Sequence, residues 1–293
     1  MGSNIEVTVI GGYLGAGKTT LLNQILSSTT ERLIVLVNDF GSINIDEQLI
    51  EHSDGDTMTL ANGCICCTLV DGFAAALTTI SDLADPPSRL VIEASGVADP
   101  ASVAAYAHSP GFRLDGIITL ADAETLVARA ADKYVGDVVL QQLGAADLVI
   151  LNKIDLLNES QREQVFEWLA ANVTATVIES IQANVGLEVL FGIGPEQVVA
   201  SSAKREPVGP EYETWNYTTP GPMDRAHVET LLAELPAGVV RVKGVIHFSD
   251  RPSERVVVHR VGVRLTLSVD GEWTGGDSTL VFIGLVGSRL LAD

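Results

Sequence analysis

Short apolar runs recur through the first two-thirds of the chain, and stretches with apolar residues at helical spacing separate them. Residues 5–10 are mostly apolar and end in Gly11-Gly12, which predicts a strand entering a tight loop. Residues 18–28 then predict a helix, and residues 33–37 (LIVLV) a fully apolar strand. Further strands are predicted at 57–60, 90–92, 116–120, 148–151 and 173–178. Helical stretches are predicted at 68–84, near 122–146 and at 159–171. Continuous apolar strands alternating with helices imply an α/β fold, a mostly parallel sheet covered by helices on both faces.

The pattern changes near residue 195. Gly194-Pro195 and residues 204–210 are polar, rich in Pro and Gly and without periodicity, which predicts a linker over 196–211. Beyond it, strands crowd together at 213–217, 239–248, 255–259, 263–269 and 280–283, with one helix at 224–235. A first domain over 1–195 and a smaller α+β domain over 212–293 are therefore expected. The length of 293 residues is itself more than one domain usually needs.

Composition narrows the function. With 46% hydrophobic and 19% charged residues the chain suits globular packing. The formal net charge of −20 repels phosphate backbones and anionic bilayers, so neither nucleic acid nor a membrane is an expected partner. No uncharged apolar run reaches about eighteen residues, and the first residues have neither a basic nor an apolar leader region, so a cytoplasmic location is expected. The charge is uneven: residues 1–195 hold 8 bases and 25 acids (8 − 25 = −17), and residues 196–293 hold 10 and 13 (10 − 13 = −3). From residue 19 to 88, Arg32 is the one basic side chain against ten acids. That is either a solvated acidic face or a field that draws cations toward the cysteines.

Gly12-Tyr13-Leu14-Gly15-Ala16-Gly17-Lys18-Thr19 fills every fixed position of G-x-x-x-x-G-K-[ST], after a strand and at the opening of a helix. Glycines let the backbone curl so that N–H groups point at phosphate oxygens, and the helix N-terminus adds partial positive charge there. The phosphate set is Gly12, Gly15, Ala16, Gly17, Lys18, Thr19 and Thr20, with Lys18 reaching the β- and γ-phosphates and the Thr19 hydroxyl on Mg²⁺. Residues 89–93 form an apolar strand ending in Glu93, followed by Ala94-Ser95-Gly96. This is a Walker B-like segment: Glu93 is a candidate to hold Mg²⁺ directly or through water, and Gly96 to bring a backbone N–H to the γ-phosphate.

Asn152-Lys153-Ile154-Asp155 closes another apolar strand as N-K-x-D. The Asp155 carboxylate can accept from N1–H and the 2-amino group of guanine, donors that adenine lacks. A site that demands such a bond can discriminate by roughly 10⁴–10⁵. The stem of Lys153 can lie over the purine and Asn152 can fix the loop, so GTP is expected rather than ATP.

All three cysteines fall in Asn62-Gly63-Cys64-Ile65-Cys66-Cys67. An odd, clustered set is no disulfide framework and fits a reducing compartment with a metal or redox site. In an extended strand Cys64 and Cys66 face one side and Cys67 the other. Three soft thiolates select Zn²⁺ or Cu(I) over Mg²⁺ and are one short of a closed tetrahedral site. The fourth position is open to Asp39, a histidine, water or a partner's side chain. Asn38-Asp39-Phe40-Gly41 follows the second strand, where a γ-phosphate switch would lie. Asp39 is either a ligand for Mg²⁺ or the transferable metal, or a turn-forming residue.

GGYLGAGKTTLLNQIL, NDFGSINID, NGCICCT, VIEASGVADP and LNKID occur in that order, and with the later RVKGVIHF and LVFIG they resemble the CobW-type P-loop GTPases over nearly the whole chain. The resemblance implies GTP hydrolysis coupled to delivery of a transition metal, most often Zn²⁺ and in some members cobalt or iron, to a client metalloprotein. It implies that Cys64, Cys66 and Cys67 hold the metal, that Lys18, Thr19 and Glu93 serve the phosphates and Mg²⁺, and that Asn152, Lys153 and Asp155 hold guanine. A homodimer or a monomer–dimer switch is expected with it. The chain departs from the family pattern at Ser42, where many members have Glu, and lacks a His-rich stretch: its five histidines are scattered. The expected mechanism is a switch in which GTP and Mg²⁺ order the segment around Asp39 and bring the cysteines into a binding geometry. No arginine stands in a recognisable finger position, so slow intrinsic turnover is expected. Rival readings are a zinc buffer or sensor, a metal-independent regulatory GTPase with structural cysteines, and a small-molecule kinase.

Overall fold

The computed structural model describes residues 4–29, 32–37, 57–59, 68–192 and 211–289. The expected switch around Asp39 and Ser42, the three cysteines and almost all of the linker lie outside the described residues. Two units divide the chain, Met1–Asn184 and Val185–Asp293.

The first unit is built on seven strands: β1 (Ile5–Gly12), β2 (Leu33–Val37), β3 (Thr57–Thr59), β4 (Arg89–Glu93), β5 (Phe112–Asp122), β6 (Leu148–Asn152) and β7 (Thr176–Ser180). Their order across the sheet is β3-β2-β4-β1-β5-β6-β7, and every pairing is parallel. The mostly parallel sheet expected from the apolar runs is thus wholly parallel among the described strands. Each residue of β2, β4 and β6 is buried, which requires cover on both faces. Helices α1 (Lys18–Ser28), α2 (Thr68–Ser81), α3 (Pro100–Ala104), α4 (Leu126–Ala130), α5 (Gly136–Ala145) and α6 (Glu159–Asn172) supply it. The helical stretch expected near 122–146 resolves into two helices, α4 and α5. Phe73, Leu77 and Ile80 of α2 pack with Val7, Val9, Leu36 and Ile92. Leu126 of α4, Val139 and Leu143 of α5 and Val165 of α6 pack with Val149 and Leu151. Helix α6 begins with reciprocal bonds between Asn158 and Gln161, a capping box that satisfies two otherwise open N–H groups.

In a parallel sheet all strands end on one edge, and connections there are what bind ligands. The P-loop follows β1, the Glu93 segment ends β4, Asp122 ends β5 and Asn152 ends β6. Four distant parts of the sequence therefore meet at one edge. The order β4-β1-β5-β6 sets them side by side, with Ile10 in register with Glu93, Gly12 with Leu120, and Asp122 with Asn152.

The second unit holds α7 (Leu187–Phe191) and an antiparallel sheet ordered β11-β10-β9-β12-β8. Its strands are β8 (Tyr212–Thr219), β9 (Val239–Phe248), β10 (Arg251–Val261), β11 (Arg264–Glu272) and β12 (Ser278–Leu285). Helix α8 (Arg225–Ala233), capped by the Asp224 side chain, buries Val228 and Leu232 against Val242, Ile246, Val258 and Phe282. Among the described histidines, His108 and His227 are exposed, His247 stacks on Trp273, and His259 sits beside Arg241.

Candidate nucleotide site

The loop between β1 and α1 is shaped by glycines. Gly12, Gly15 and Gly17 have φ of 133°, 80° and 109°, a region where a Cβ is strained. A Cβ on Gly15 would meet nothing within 4 Å, so this part of the loop faces open space. A Cβ on Gly17 would lie 2.5 Å from Nδ2 of Asn152, so glycine is needed for the base loop to come close. Ala16 is buried and its N–H donates to the Tyr13 carbonyl at 3.1 Å, curling the loop. Lys18 is buried, with Nζ donating to the Gly12 carbonyl at 3.0 Å, which folds the cation back over the loop. Thr19 is half-buried in the first turn of α1 and Thr20 beside it is exposed.

Glu93 is 2% exposed at the end of β4 and is aligned with Ile10 and Val37 on its two neighbours. Gly96 beyond it packs on the P-loop. A Cβ there would lie 2.5 Å from Cδ2 and 3.1 Å from the backbone nitrogen of Leu14.

At the other end, Asn152 bridges three segments. Its Nδ2 donates to the Ala16 carbonyl at 3.0 Å, and its Oδ1 accepts from the Ala183 N–H at 2.7 Å. Lys153 turns the chain out of β6 in the left-handed region (φ 65°), and its Nζ donates to Oδ2 of Asp122 at 2.6 Å. Asp155 is exposed in the short turn Ile154–Leu156. Gly15, Gly17, Thr20, Asn152, Lys153, Asp155 and Gln182 line one cleft of about 650 Å³. Gly15, Gly17 and Thr20 of the expected phosphate set thus share one cavity with the three expected base residues.

Five further residues contribute that no sequence signal pointed to. Asp122 partners Lys153. Gln182 and Ala183 follow β7, both at positive φ; Gln182 lines the cleft and the Ala183 N–H donates to Asn152. Arg129 donates to the Leu14 carbonyl at 2.6 Å and lies over the Tyr13 ring, 4.9 Å from its centroid. Gln142 reaches the loop carrying Gly96. No short motif marks any of them. The paired positive-φ residues lack Gly or Asn, and the others are single polar residues in otherwise ordinary helix or strand-end patterns.

Thr19 and Glu93 offer oxygen donors, the hard ligands that suit Mg²⁺, so the described part of the donor set fits that ion. Among the described residues no group of three or more His, Cys, Asp or Glu is placed to hold a metal. The sulfur trio of residues 64–67 lies outside them. No described helix is long and apolar enough to cross a membrane.

A parallel sheet with a glycine-rich loop opening α1 and a nucleotide-sized cleft beside it defines a P-loop nucleotide-binding protein. The chain belongs to the CobW/HypB/UreG family: residues 6–178 match its nucleotide-binding domain and residues 212–289 match the cobalamin synthesis protein cobW C-terminal domain. It is 32% identical to the zinc chaperone YjiA of Escherichia coli, over 96% of this chain and 94% of that one. It is 29% identical to the zinc chaperone CobW of a Sinorhizobium species, over 96% and 93%. The crystal structure of the Zn(II)-bound YjiA GTPase from E. coli aligns with 99% of this chain and 100% of that one, at 27% identity and a TM-score of 0.49.

Proposed function

We propose that this protein is a GTP-hydrolysing metallochaperone that couples the state of its nucleotide to the grip on a transition metal, Zn²⁺ above all, and passes that metal to a client metalloprotein. The observation that supports it most is the single cleft lined by P-loop glycines and by Asn152, Lys153 and Asp155. That cleft is large enough for a nucleotide, and its base end carries an exposed carboxylate suited to guanine.

In this reading the backbone N–H groups of Gly15, Gly17, Lys18, Thr19 and Thr20 hold the β-phosphate, while Ala16 keeps the loop curled through its bond to Tyr13. Lys18 leaves the Gly12 carbonyl to neutralise charge on the β- and γ-oxygens, and Gly96 lies beside the γ-phosphate. Asp155 receives the guanine N–H donors, Lys153 covers the purine face, and Asn152 ties the base loop to the P-loop. Thr19 and Glu93, with Asp39, would hold Mg²⁺. That ion supplies charge neutralisation on the phosphates. The cargo is held by the thiolates of Cys64, Cys66 and Cys67, soft ligands that suit Zn²⁺ and admit Co²⁺. Free thiolates belong in a reducing compartment, and the cytoplasm is the proposed location. A second copy of the chain is a proposed partner during the cycle.

The test is a Zn²⁺ titration of the protein loaded with a non-hydrolysable GTP analogue and, separately, with GDP. A difference of about tenfold or more in affinity, abolished by Cys66→Ser, supports coupling. Equal affinities in the two states would reduce the protein to a zinc buffer that happens to bind GTP.

A further inference from the structure

The loop 94–99, between Glu93 and α3, is fixed firmly at its two ends. The Ala94 N–H donates to the Ile10 carbonyl at 2.8 Å, anchoring its start to β1. At its far end Asp99 caps α3, accepting from the Ala101 N–H at 3.0 Å and from the Ser102 hydroxyl at 2.8 Å. Between them runs a turn closed by the Ala98 N–H on the Ser95 carbonyl at 2.9 Å. The middle of the loop is held from behind by Gln142. Its Nε2 donates to the carbonyls of Gly96 at 3.1 Å and Ala98 at 3.0 Å. A primary amide has two N–H donors, and both are spent on this one loop. Gln142 is 1% exposed, and its own carbonyl accepts from the Thr119 hydroxyl at 3.0 Å, which fixes α5 against β5.

The opposing loop is held in the same manner. Arg129 of α4 donates to the Leu14 carbonyl and covers Tyr13. Gly96 and Leu14 are in turn pressed together closely enough that a Cβ on Gly96 would overlap the Leu14 side chain. The two loops that flank the phosphate end of the cleft are thus spaced by their mutual contact. Each is braced by one side chain from the α4–α5 pair.

We propose that Gln142 and Arg129 are positioning residues for hydrolysis of the terminal phosphate: together they set the height of Gly96 against the P-loop. This rests on the reading of the protein as a GTPase. Neither side chain lines the cleft that takes guanosine, so neither contributes to holding the base. Displacing reacting groups by as little as an ångström costs up to about a hundredfold in rate, so braces of this kind act on turnover. Gln142→Glu removes both donors and sets a carboxylate against two carbonyl oxygens. Gln142→Leu removes the donors at similar size. Arg129→Lys keeps the cation and one donor for Leu14, whereas Arg129→Ala keeps neither.

The experiment compares kcat and KM for GTP, and Kd for a fluorescent GDP, in the full-length protein and these four variants. The expected result is a loss of about ten- to a hundredfold in kcat for Gln142→Leu, Gln142→Glu and Arg129→Ala. Kd for GDP should stay within about twofold, and Arg129→Lys should recover most of the rate. Unchanged kcat in both Arg129→Ala and Gln142→Leu overturns the proposal. So does a loss of GDP affinity equal to the loss of rate, which would mark the two residues as general supports of the fold. Because Arg129 is only half-buried, its variants keep the test decisive if those of the buried Gln142 fail to fold. Wild-type protein that binds GTP without hydrolysing it would refute the GTPase reading instead. The brace would then be judged on the ratio of affinities for a GTP analogue and GDP: a ratio moved about tenfold by Arg129→Ala upholds it, and an unmoved ratio overturns it.

Discussion

Lys153 donates to Asp122 across 2.6 Å, so the cation of the base loop is answered by a carboxylate at the end of the adjacent strand. Asp122 is buried, its other oxygen accepts from the Glu124 N–H at 3.0 Å, and its backbone is in register with Asn152. A charge-assisted bond to a carboxylate so fixed holds the lysine stem in one direction. Asp122→Asn should weaken GDP and GTP binding alike by about tenfold, or ~1.4 kcal/mol, with kcat at saturation nearly unchanged. Fluorescent-nucleotide titration checks it. The double variant with Lys153→Ala should lose little more than the worse single one, because the two residues act as a unit.

Asp155 gives a sharper test of the base. Xanthine carries a carbonyl where guanine carries its 2-amino group, so an amide at position 155 can donate where the carboxylate could only accept. Asp155→Asn should lower the affinity for GDP by about a hundredfold or more and raise that for xanthosine diphosphate. Competition between the two nucleotides reads it directly. A variant that still prefers guanosine would remove Asp155 from the base site.

Gly96 meets Leu14 so closely that an added methyl group must displace it: the Cβ would lie 2.5 Å from Cδ2, 2.8 Å from Cγ and 3.1 Å from the backbone nitrogen. Gly96→Ala should cut GTP turnover by about tenfold or more through movement of the P-loop tip. Adding Leu14→Ala removes the two nearest atoms and leaves the third, so it should restore part of the rate. No recovery in the double variant would mean that the effect arises elsewhere in the loop.

In the second unit the fully buried Arg241 takes the place of a helix cap. Its Nε donates to the Val189 carbonyl at 3.2 Å, Nη2 donates to the Leu190 carbonyl, and Nη1 lies 3.3 Å from Nε2 of His259. The open carbonyls at the end of α7 thus meet a guanidinium fork. Arg241→Met leaves them unsatisfied and should cost about 3 kcal/mol. Arg241→Lys should recover only part, since an ammonium lacks the planar fork. Thermal unfolding followed by tryptophan fluorescence reports on this unit through Trp215 and Trp273, and a Tm unchanged by Arg241→Met would contradict the capping role.

Contiguous sequence was enough for the phosphate loop, the strand ending in Glu93 and the N-K-x-D run. In each, the chemistry and the strand or helix that presents it occupy one short stretch of chain. The helix over residues 18–28 and the strand over 33–37 were legible to the residue, because Gly17 starts the helix and LIVLV is an unbroken apolar run. The pattern over 122–146 read as helical without a marked break because both α4 and α5 present apolar residues to the same core.

What tertiary structure alone decided is which polar residues the sheet edge brings together. Asp122 meets Lys153 only because β5 lies beside β6. Gln142 and Arg129 reach these loops only because α5 packs against β1 and β5 and α4 packs against α5. Ala183 meets Asn152 only after β7 pairs with β6. These are contacts between residues 31 to 115 positions apart in the chain. Periodicity reports which face of an element is buried; it holds no information on which strand becomes its neighbour, and that neighbour sets every partner here.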